Sequence, residues 1–369
     1  MIVIPDERVI SAVEAQRSRG LEAMRFVHAH PELAHEEFEC SAFVAQQLGA
    51  GGFEVEEGVG GMPTAFRAVL AGGAPGRTVG VVCLYDAVAA VRAGGEIEAV
   101  HSCGHGVIAG GVVTAALAIA ESRRLLSGRL VVLGLPADEI HAPGTVRRGG
   151  GKAISAEQGL WAGVDAALYA HPEFIDTVSL ESRWMRREHI RVSGVRSLSG
   201  EPESPLIAAR AVLEANARDI MVEHITLDGD VEEATGLVLR ASVLVFADSV
   251  DELEQRSGAL RSLVSGAVWD SDMTVEGIRP DEHVTSAVAD AFRAAGREFV
   301  HDPPPLPFAT DFGNVSRRVP SALIGVGRPG GWLFHTDEGA EEFASPAGEE
   351  SAAVLARVLA LAIARLTEA

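Results

Sequence analysis

Continuous apolar runs separated by helix-period segments constrain this chain more than any other feature. Arg77–Asp86 (RTVGVVCLYD), Arg129–Pro136 (RLVVLGLP) and Val164–Ala170 (VDAALYA) lack the polar alternation of a strand with one wet face. Such runs belong to strands buried on both sides. Between and before them lie amphipathic or Ala-rich helical segments, Arg8–Ala29, Glu36–Leu48 and Val107–Ser122. Strand and helix taking turns in this way predicts a largely parallel sheet with helices on both faces.

The texture changes after Glu173. Val178–Gly194 alternates polar and apolar residues, as an antiparallel strand with one solvated face does. A helix at Pro205–Ile220, strands near Met221–Leu227 and Leu237–Phe246, a helix at Val250–Val268 and a strand near Met273–Ile278 follow. That β-α-β-β-α-β order is the split, ferredoxin-like pattern. A helix from about residue 286, a buried strand at Ser321–Val326 and a helix at Ala347–Leu366 then return to the first texture. The expected fold is therefore α/β, a mostly parallel sheet flanked by helices, interrupted by an inserted α+β domain. The expected division is 1–176 with 286–369 as one domain and 177–285 as the insert.

Composition removes several classes of function. With 31 Lys and Arg against 52 Asp and Glu, a net charge of −21 argues against nucleic acid as a partner. Met1–Ile10 lacks the basic stretch and apolar core of a secretory signal. Val107–Ala120, the longest apolar run, is too short and Gly-rich to span a bilayer, so no membrane association is expected. Three cysteines, Cys40, Cys83 and Cys103, cannot form a disulfide framework. A cytoplasmic location is expected, where a free thiolate can ligate metal.

In an open α/β sheet, ligands bind beyond the carboxyl ends of the strands. Asp86, the pair Asp138–Glu139 and His171 fall at such ends, and Cys103 and His105 just precede a helix. Thiolate, imidazole and carboxylate together suit zinc, and also manganese, cobalt or nickel. Of two adjacent acids, one can bind metal while the other takes a proton. Other signals fail. HEEFE at His35 lacks the second histidine of a zincin, RRGGGK lacks the spacing of a phosphate loop, and no G-x-S-x-G elbow occurs. His28, His30, His35, His189, His283 and His301 read as surface or structural, and Cys40 and Cys83 as small apolar residues.

A set of motifs then lies in order along almost the whole chain. These are HPELAHEEF at 30–38, GMPTAF at 61–66, LYDAV at 84–88, HSCGHG at 101–106, LPADE at 135–139, GGGKAI at 149–154, YAHPEF at 169–174, TDFGNVS at 310–316 and FHTDE at 334–338. Together they resemble the M20 family of metallopeptidases and amidohydrolases, nearest the branch that cleaves aminobenzoyl-glutamate and related amides. The resemblance implies two divalent metal ions, zinc or manganese, held by Cys103, His105, Glu139, His171 and His335. It implies Asp138 as general base and Asp86 as the carboxylate orienting a ligand histidine. The substrate would be a small-molecule amide, and the insert would act as a lid and as the contact of a homodimer.

The chain also departs from the family pattern. Asp138 stands where a Glu is usual, Gly106 where Asp or Asn is usual, Leu84 where Glu is common and Ala309 where Ser is usual. In the insert, Leu198 and Ala234 align where the family commonly has a His and an Asn that hold substrate. Arg196, Arg210 or His224 are candidates to replace them. Hydrolytic deamination or decarbamoylation, and a degenerate homologue that only binds a ligand, are the alternatives to amide cleavage.

Overall fold

The computed structural model describes residues 4–195, 204–229, 236–264 and 266–368. The chain opens with α1 (Asp6–Ala29) and α2 (Phe38–Ala50), then β1 (Glu54–Glu57), β2 (Phe66–Ala71) and β3 (Ala74–Cys83). A hairpin follows, β4 (Val88–Val91) and β5 (Ile97–Val100), then α3 (His105–Glu121) and β6 (Ser127–Gly134). Short helices α4 (Pro143–Arg148) and α5 (Gly151–Glu157) lead to β7 (Ala166–Glu173). Next come β8 (Trp184–Val195), α6 (Ser204–Ala215), β9 (Ile220–Gly229), β10 (Gly236–Ala247), α7 (Val250–Leu263) and β11 (Val268–Ser271). The chain closes with α8 (Glu282–Ala294), α9 (Phe312–Ser316), β12 (Ser321–Gly327), α10 (Asp337–Ala344) and α11 (Pro346–Thr367).

Two compact units result. One comprises residues 1–181, 278–304 and 314–369, and the other 182–277 and 305–313. The first holds a six-stranded sheet in the order β1-β2-β6-β3-β7-β12. Its centre is parallel, β6 with β3, β3 with β7 and β7 with β12, while β2 and β1 run antiparallel at one edge. The apolar runs are buried as their composition requires: Leu130, Val131, Val132 and Leu133 of β6 are wholly enclosed. Helix α11 starts at Pro346 after Ser345, whose hydroxyl accepts the Ala347 N–H, a side-chain cap with proline in the first turn. It is apolar nearly all round and lies in the interior against α3. Helix α1 crosses α3 so closely that a Cβ on Gly20 would lie 2.5 Å from the Gly110 carbonyl oxygen. Only glycine allows that approach.

The second unit is a four-stranded antiparallel sheet, β11-β8-β10-β9, with α6 and α7 in the β-α-β-β-α-β order of a ferredoxin-like fold. Its core joins Ile190, Val192, Leu239, Val243 and Val245 of the sheet to Val212, Leu253 and Leu260 of the helices. Three expectations need correction here, the first being that helix α6 ends at Ala215 instead of Ile220, which opens β9. Helix α7 ends at Leu263 instead of Val268, ahead of Gly266 in the left-handed region at φ +76. The last strand is Val268–Ser271 instead of Met273–Ile278, because Val268–Ser271 supplies the residues that pair with β8. The β4–β5 hairpin carries no apolar period and was not expected.

Candidate metal centre

The parallel strands deliver their carboxyl ends to one rim of the first sheet. Beyond β3 comes Asp86, beyond β6 come Asp138 and Glu139, and His171 lies near the end of β7. Cys103 and His105 reach the rim through Gly104, whose φ of +87 turns the chain into α3. A Cβ at residue 104 would lie 2.9 Å from both Phe343 and Pro172, so glycine is required twice over. His335 arrives on the loop before α10 with φ +60, and its N–H donates to the Ser102 carbonyl at 2.9 Å. Ala137, between β6 and the acid pair, is also left-handed at φ +61. Backbone strain of this kind gathers where a fold over-determines a functional site.

Ligand-type atoms of five residues converge. Cys103 Sγ is 3.4 Å from His335 Nε2 and 3.8 Å from His171 Nε2. His335 Nε2 is 3.7 Å from Glu139 Oε2, and His105 Nε2 is 3.9 Å from Glu139 Oε1. Two triads each fall within 4.8 Å, Cys103–His105–His171 and Cys103–Glu139–His335, and they share the thiol. Among the described residues the buried atoms His105 Nε2 and Glu139 Oε1 have no hydrogen-bond partner. Desolvated polar atoms without partners are rare in folded proteins. A sulfur between a pair of imidazoles on one side and an imidazole with a carboxylate on the other, with orphaned nitrogen and oxygen beside it, fits a pair of divalent cations.

The second atoms of the imidazoles are already committed. His105 Nδ1 donates to the Asp86 carbonyl at 2.7 Å and lies 3.0 Å from Asp86 Oδ1. His171 Nδ1 donates to the Pro172 carbonyl at 2.6 Å. Each ring therefore turns Nε2 into the cluster, the arrangement that outer partners impose on ligand histidines. Asp86 Oδ2 also accepts the Glu139 N–H at 3.0 Å, so this one residue sets a ring through its carbonyl and a turn through its carboxylate.

Charge in the cluster is strongly redistributed. Burial disfavours the Cys103 thiolate, but the imidazoles of His105, His171 and His335 beside it outweigh that and bring its pKa well below the usual value. The thiol also sits at the N-terminus of α3, where helix peptide dipoles favour negative charge. Burial lowers His105, and the charge of Asp86 with the neighbouring Asp138 carboxylate raises it well above an ordinary histidine. Burial and the neighbouring Cys103 charge push Glu139 well up. For Asp138 burial raises the pKa, but Lys152 and His105 more than reverse it, leaving the acid well below the usual range.

Asp138 Oδ2 lies 3.3 Å from His105 Nε2, and Oδ1 accepts a bond from Lys152 Nζ. Lys152 is the chain's sole lysine, is wholly buried, and lies 5.3 Å from the Tyr169 ring centroid. Reading residues by type passed over it, although a lone lysine within GGGKAI was the available signal. Glu37 and Ala137 were passed over as well. Gly106 has a local reason: a Cβ there would meet the Met24 carbonyl oxygen of α1 at 3.0 Å. Nothing in the structure explains Leu84 or Ala309.

Of the residues weighed for substrate contact in the insert, Arg210 and His224 lie among the described residues. Leu198, Ala234 and Arg196 lie outside the described residues. Arg210 is exposed on α6 and paired with Glu214 at 2.6 Å, and His224 stands on β9 opposite Ser242.

A mostly parallel α/β sheet with a thiol–imidazole–carboxylate cluster at its carboxyl rim is thus the class of fold and site that this chain presents. The chain belongs to peptidase family M20/M25/M40, whose model matches residues 84–365. It is 32% identical over 158 residues to thermostable carboxypeptidase 2 of Saccharolobus solfataricus, covering 41% of this chain and 38% of that protein. It is 31% identical over 175 residues to a subunit of the p-aminobenzoyl-glutamate hydrolase of Escherichia coli, covering 44% of this chain and 34% of that one. The matches thus span little more than a third of these relatives. A Bacillus subtilis structure described as a dinuclear metal-binding peptidase of the M20 family superposes with a TM-score of 0.71 at 18% identity, covering 96% of this chain and 99% of that one. That likeness is one of fold.

Proposed function

We propose that this protein is a metal-dependent amidohydrolase that cleaves the amide bond of a small N-acyl or aminoacyl substrate. Cys103, His105, Glu139, His171 and His335 would hold two divalent ions, zinc or manganese, with Cys103 shared between them. One observation carries the reading: two ligand triads meet at a single thiol within 4.8 Å, beside orphaned His105 and Glu139 atoms. The names of the relatives, a carboxypeptidase and an aminobenzoyl-glutamate hydrolase, agree with amide cleavage.

Such ions, when bound, supply a Lewis acid that acidifies water and polarises an amide carbonyl. The protein's share lies in proton handling and orientation. Asp138 takes a proton from the attacking water and returns it to the leaving amine. Lys152 holds the far oxygen of Asp138, so the shorter carboxylate points one way only. Asp86 fixes the His105 ring through Nδ1.

The same reading takes residues 1–176 and 286–369 as the catalytic domain and 177–285 as a lid through which a homodimer forms. In support, β9 stands at the edge of its sheet, ten residues long, with Met221 and Leu227 exposed along it. A cytoplasmic site suits the free thiol at Cys103. No helix among the described residues is long and apolar enough to cross a membrane.

The test is metal content by mass spectrometry on wild type and on Cys103→Ala and Glu139→Ala. About two divalent ions per chain in wild type, and fewer in both variants, is the expected result. A wild type that stays metal-free after reconstitution with zinc and manganese would overturn the reading.

A further inference from the structure

Glu37 belongs to no ligand triad, yet its carboxyl group is wholly buried and fully used. Its Oε1 accepts the His35 N–H at 2.8 Å and the Ala137 N–H at 3.0 Å, and its Oε2 accepts from the Thr64 hydroxyl at 2.8 Å. The two amides share an unusual property. Among the described residues only His35, Ala137 and His335 are non-glycine residues with positive φ, at +65, +61 and +60. A single carboxyl oxygen therefore holds two of the three.

The placement is not incidental to helix capping. Glu37 is the N-cap of α2, where an acidic side chain ordinarily accepts N–H groups of its own first turn. Glu32 does that instead, accepting from Glu39 at 3.0 Å and Cys40 at 2.9 Å. Glu37 is thereby free to reach across to the segment after β6. That segment is held from both ends: Glu37 takes the Ala137 N–H, and Asp86 takes the Glu139 N–H. His35 is itself anchored through Nε2, 2.8 Å from the Gly149 carbonyl oxygen beyond α4. Burial and the nearby Asp86 charge push the Glu37 carboxyl up to about 8, so near neutrality it exists largely as the uncharged acid. A neutral acid keeps a carbonyl oxygen for the two amides and shares its other oxygen with the Thr64 hydroxyl.

We propose that Glu37 is a positioning residue that locks Ala137 in the left-handed path, so that the turn after β6 presents Asp138 and Glu139 together to the metal centre. An L-residue resists that conformation, whereas glycine enters it freely. Without the carboxyl oxygen the turn relaxes, and both acids leave their places. The functional consequence rests on the metal-centre reading above. The backbone claim does not.

The test uses the full chain stripped of metal. Glu37→Gln keeps an accepting oxygen at the same reach, Glu37→Leu removes it, and Glu37→Asp shortens it. Affinity for zinc ion is measured by calorimetric titration, and exchange of the Ala137 amide by hydrogen–deuterium mass spectrometry. Glu37→Gln is expected to bind zinc within about threefold of wild type, whereas Glu37→Leu should weaken binding by about 10–100-fold and speed exchange at Ala137. Adding Ala137→Gly to Glu37→Leu should restore most of the zinc affinity, because glycine needs no lock. A merely structural role would not give that rescue. Should Glu37→Leu fail to fold, Glu37→Asp with and without Ala137→Gly gives the same contrast at smaller amplitude. Folded variants lacking the accepting oxygen that show wild-type exchange and zinc affinity overturn the proposal. So does the absence of rescue by Ala137→Gly. If wild type takes up no zinc, the metal reading falls, and exchange at Ala137 in the Glu37 variants still decides the role of Glu37.

Discussion

On the antiparallel sheet, Arg187 is nearly enclosed and lies 2.6 Å from Glu223 and 3.1 Å from Asp272, while His189 lies 2.8 Å from Asp272. On the other face of β8, Glu188 is buried against Arg186, Arg261 and the Ser271 hydroxyl. Each buried charge there meets an opposite one, and the Glu188 pKa is lowered despite burial because Ser271 and Arg261 favour its charged form. At the rim of the parallel sheet the same kinds of residue are arranged differently. Thiol, acids and imidazoles crowd together, Glu139 is pushed well up, and His105 and Glu139 keep atoms without partners among the described residues. Both regions hold buried charged side chains, and they differ in compensation. A compensated network is framework, and an uncompensated one is a place prepared for something else.

The strongest way to break this comparison is at Asp138. Asp138→Asn keeps size and removes the proposed base, so kcat should fall by about 10²–10⁴-fold while metal content holds. Steady-state kinetics on an N-acyl amino acid panel with parallel metal analysis checks it. Unchanged turnover would mean that the acid at the rim is framework too.

In the other region the opposite signature is expected. Arg187→Met leaves Glu223 and Asp272 facing each other without their cation, a loss of about 3 kcal/mol in unfolding free energy. Denaturant titration reads that loss, and zinc uptake should not move. A variant with intact stability and lost zinc would erase the distinction between framework and site.

The effect smallest per step of the titration concerns Glu37 and Glu188, two buried acids whose pKa values move in opposite directions. Glu37, bonded to amide and hydroxyl donors, is raised from 4.5 to about 8. The folded state therefore holds a proton that the unfolded chain releases. The resulting stabilisation is complete below pH 4.5 and disappears as pH rises through 8. Metal-free protein should lose up to about 1.4 kcal/mol per pH unit from this group across that window. Urea titrations at several pH values should show a flatter profile for Glu37→Gln, and an unchanged profile would place the Glu37 pKa near its ordinary value.

Much of the architecture was legible because period and burial are properties of short segments. The apolar runs around Val81, Val131 and Ala167 mark strands enclosed on both faces, and the switch to alternation near Met185 marks a sheet with helices on one face. Pattern read less well where ends are set by pairing. Nothing local to Val268–Ser271 marks it as the strand that joins β8, and the β4–β5 hairpin has no period at all. Asp86, Asp138, Glu139 and His171 could be set at strand ends from sequence order alone, because a parallel sheet sends all those ends to one rim.

Tertiary structure decided what those residues are to one another. That Cys103 lies between His171 and His335 depends on chain segments 68 and 232 residues away, a relation no local pattern contains. The same holds for the only lysine. Its type suggests a solvated surface, yet Lys152 is buried against Asp138 because α5 and the turn after β6 meet. Glu37 shows it most plainly. As the residue that opens a helix it has only a local place in the pattern, and a contact spanning 100 residues makes it the partner of Ala137. Secondary structure follows from energies summed along a few neighbouring residues. The protonation and strain of a site follow from groups brought together across the chain, and only the folded molecule supplies their distances.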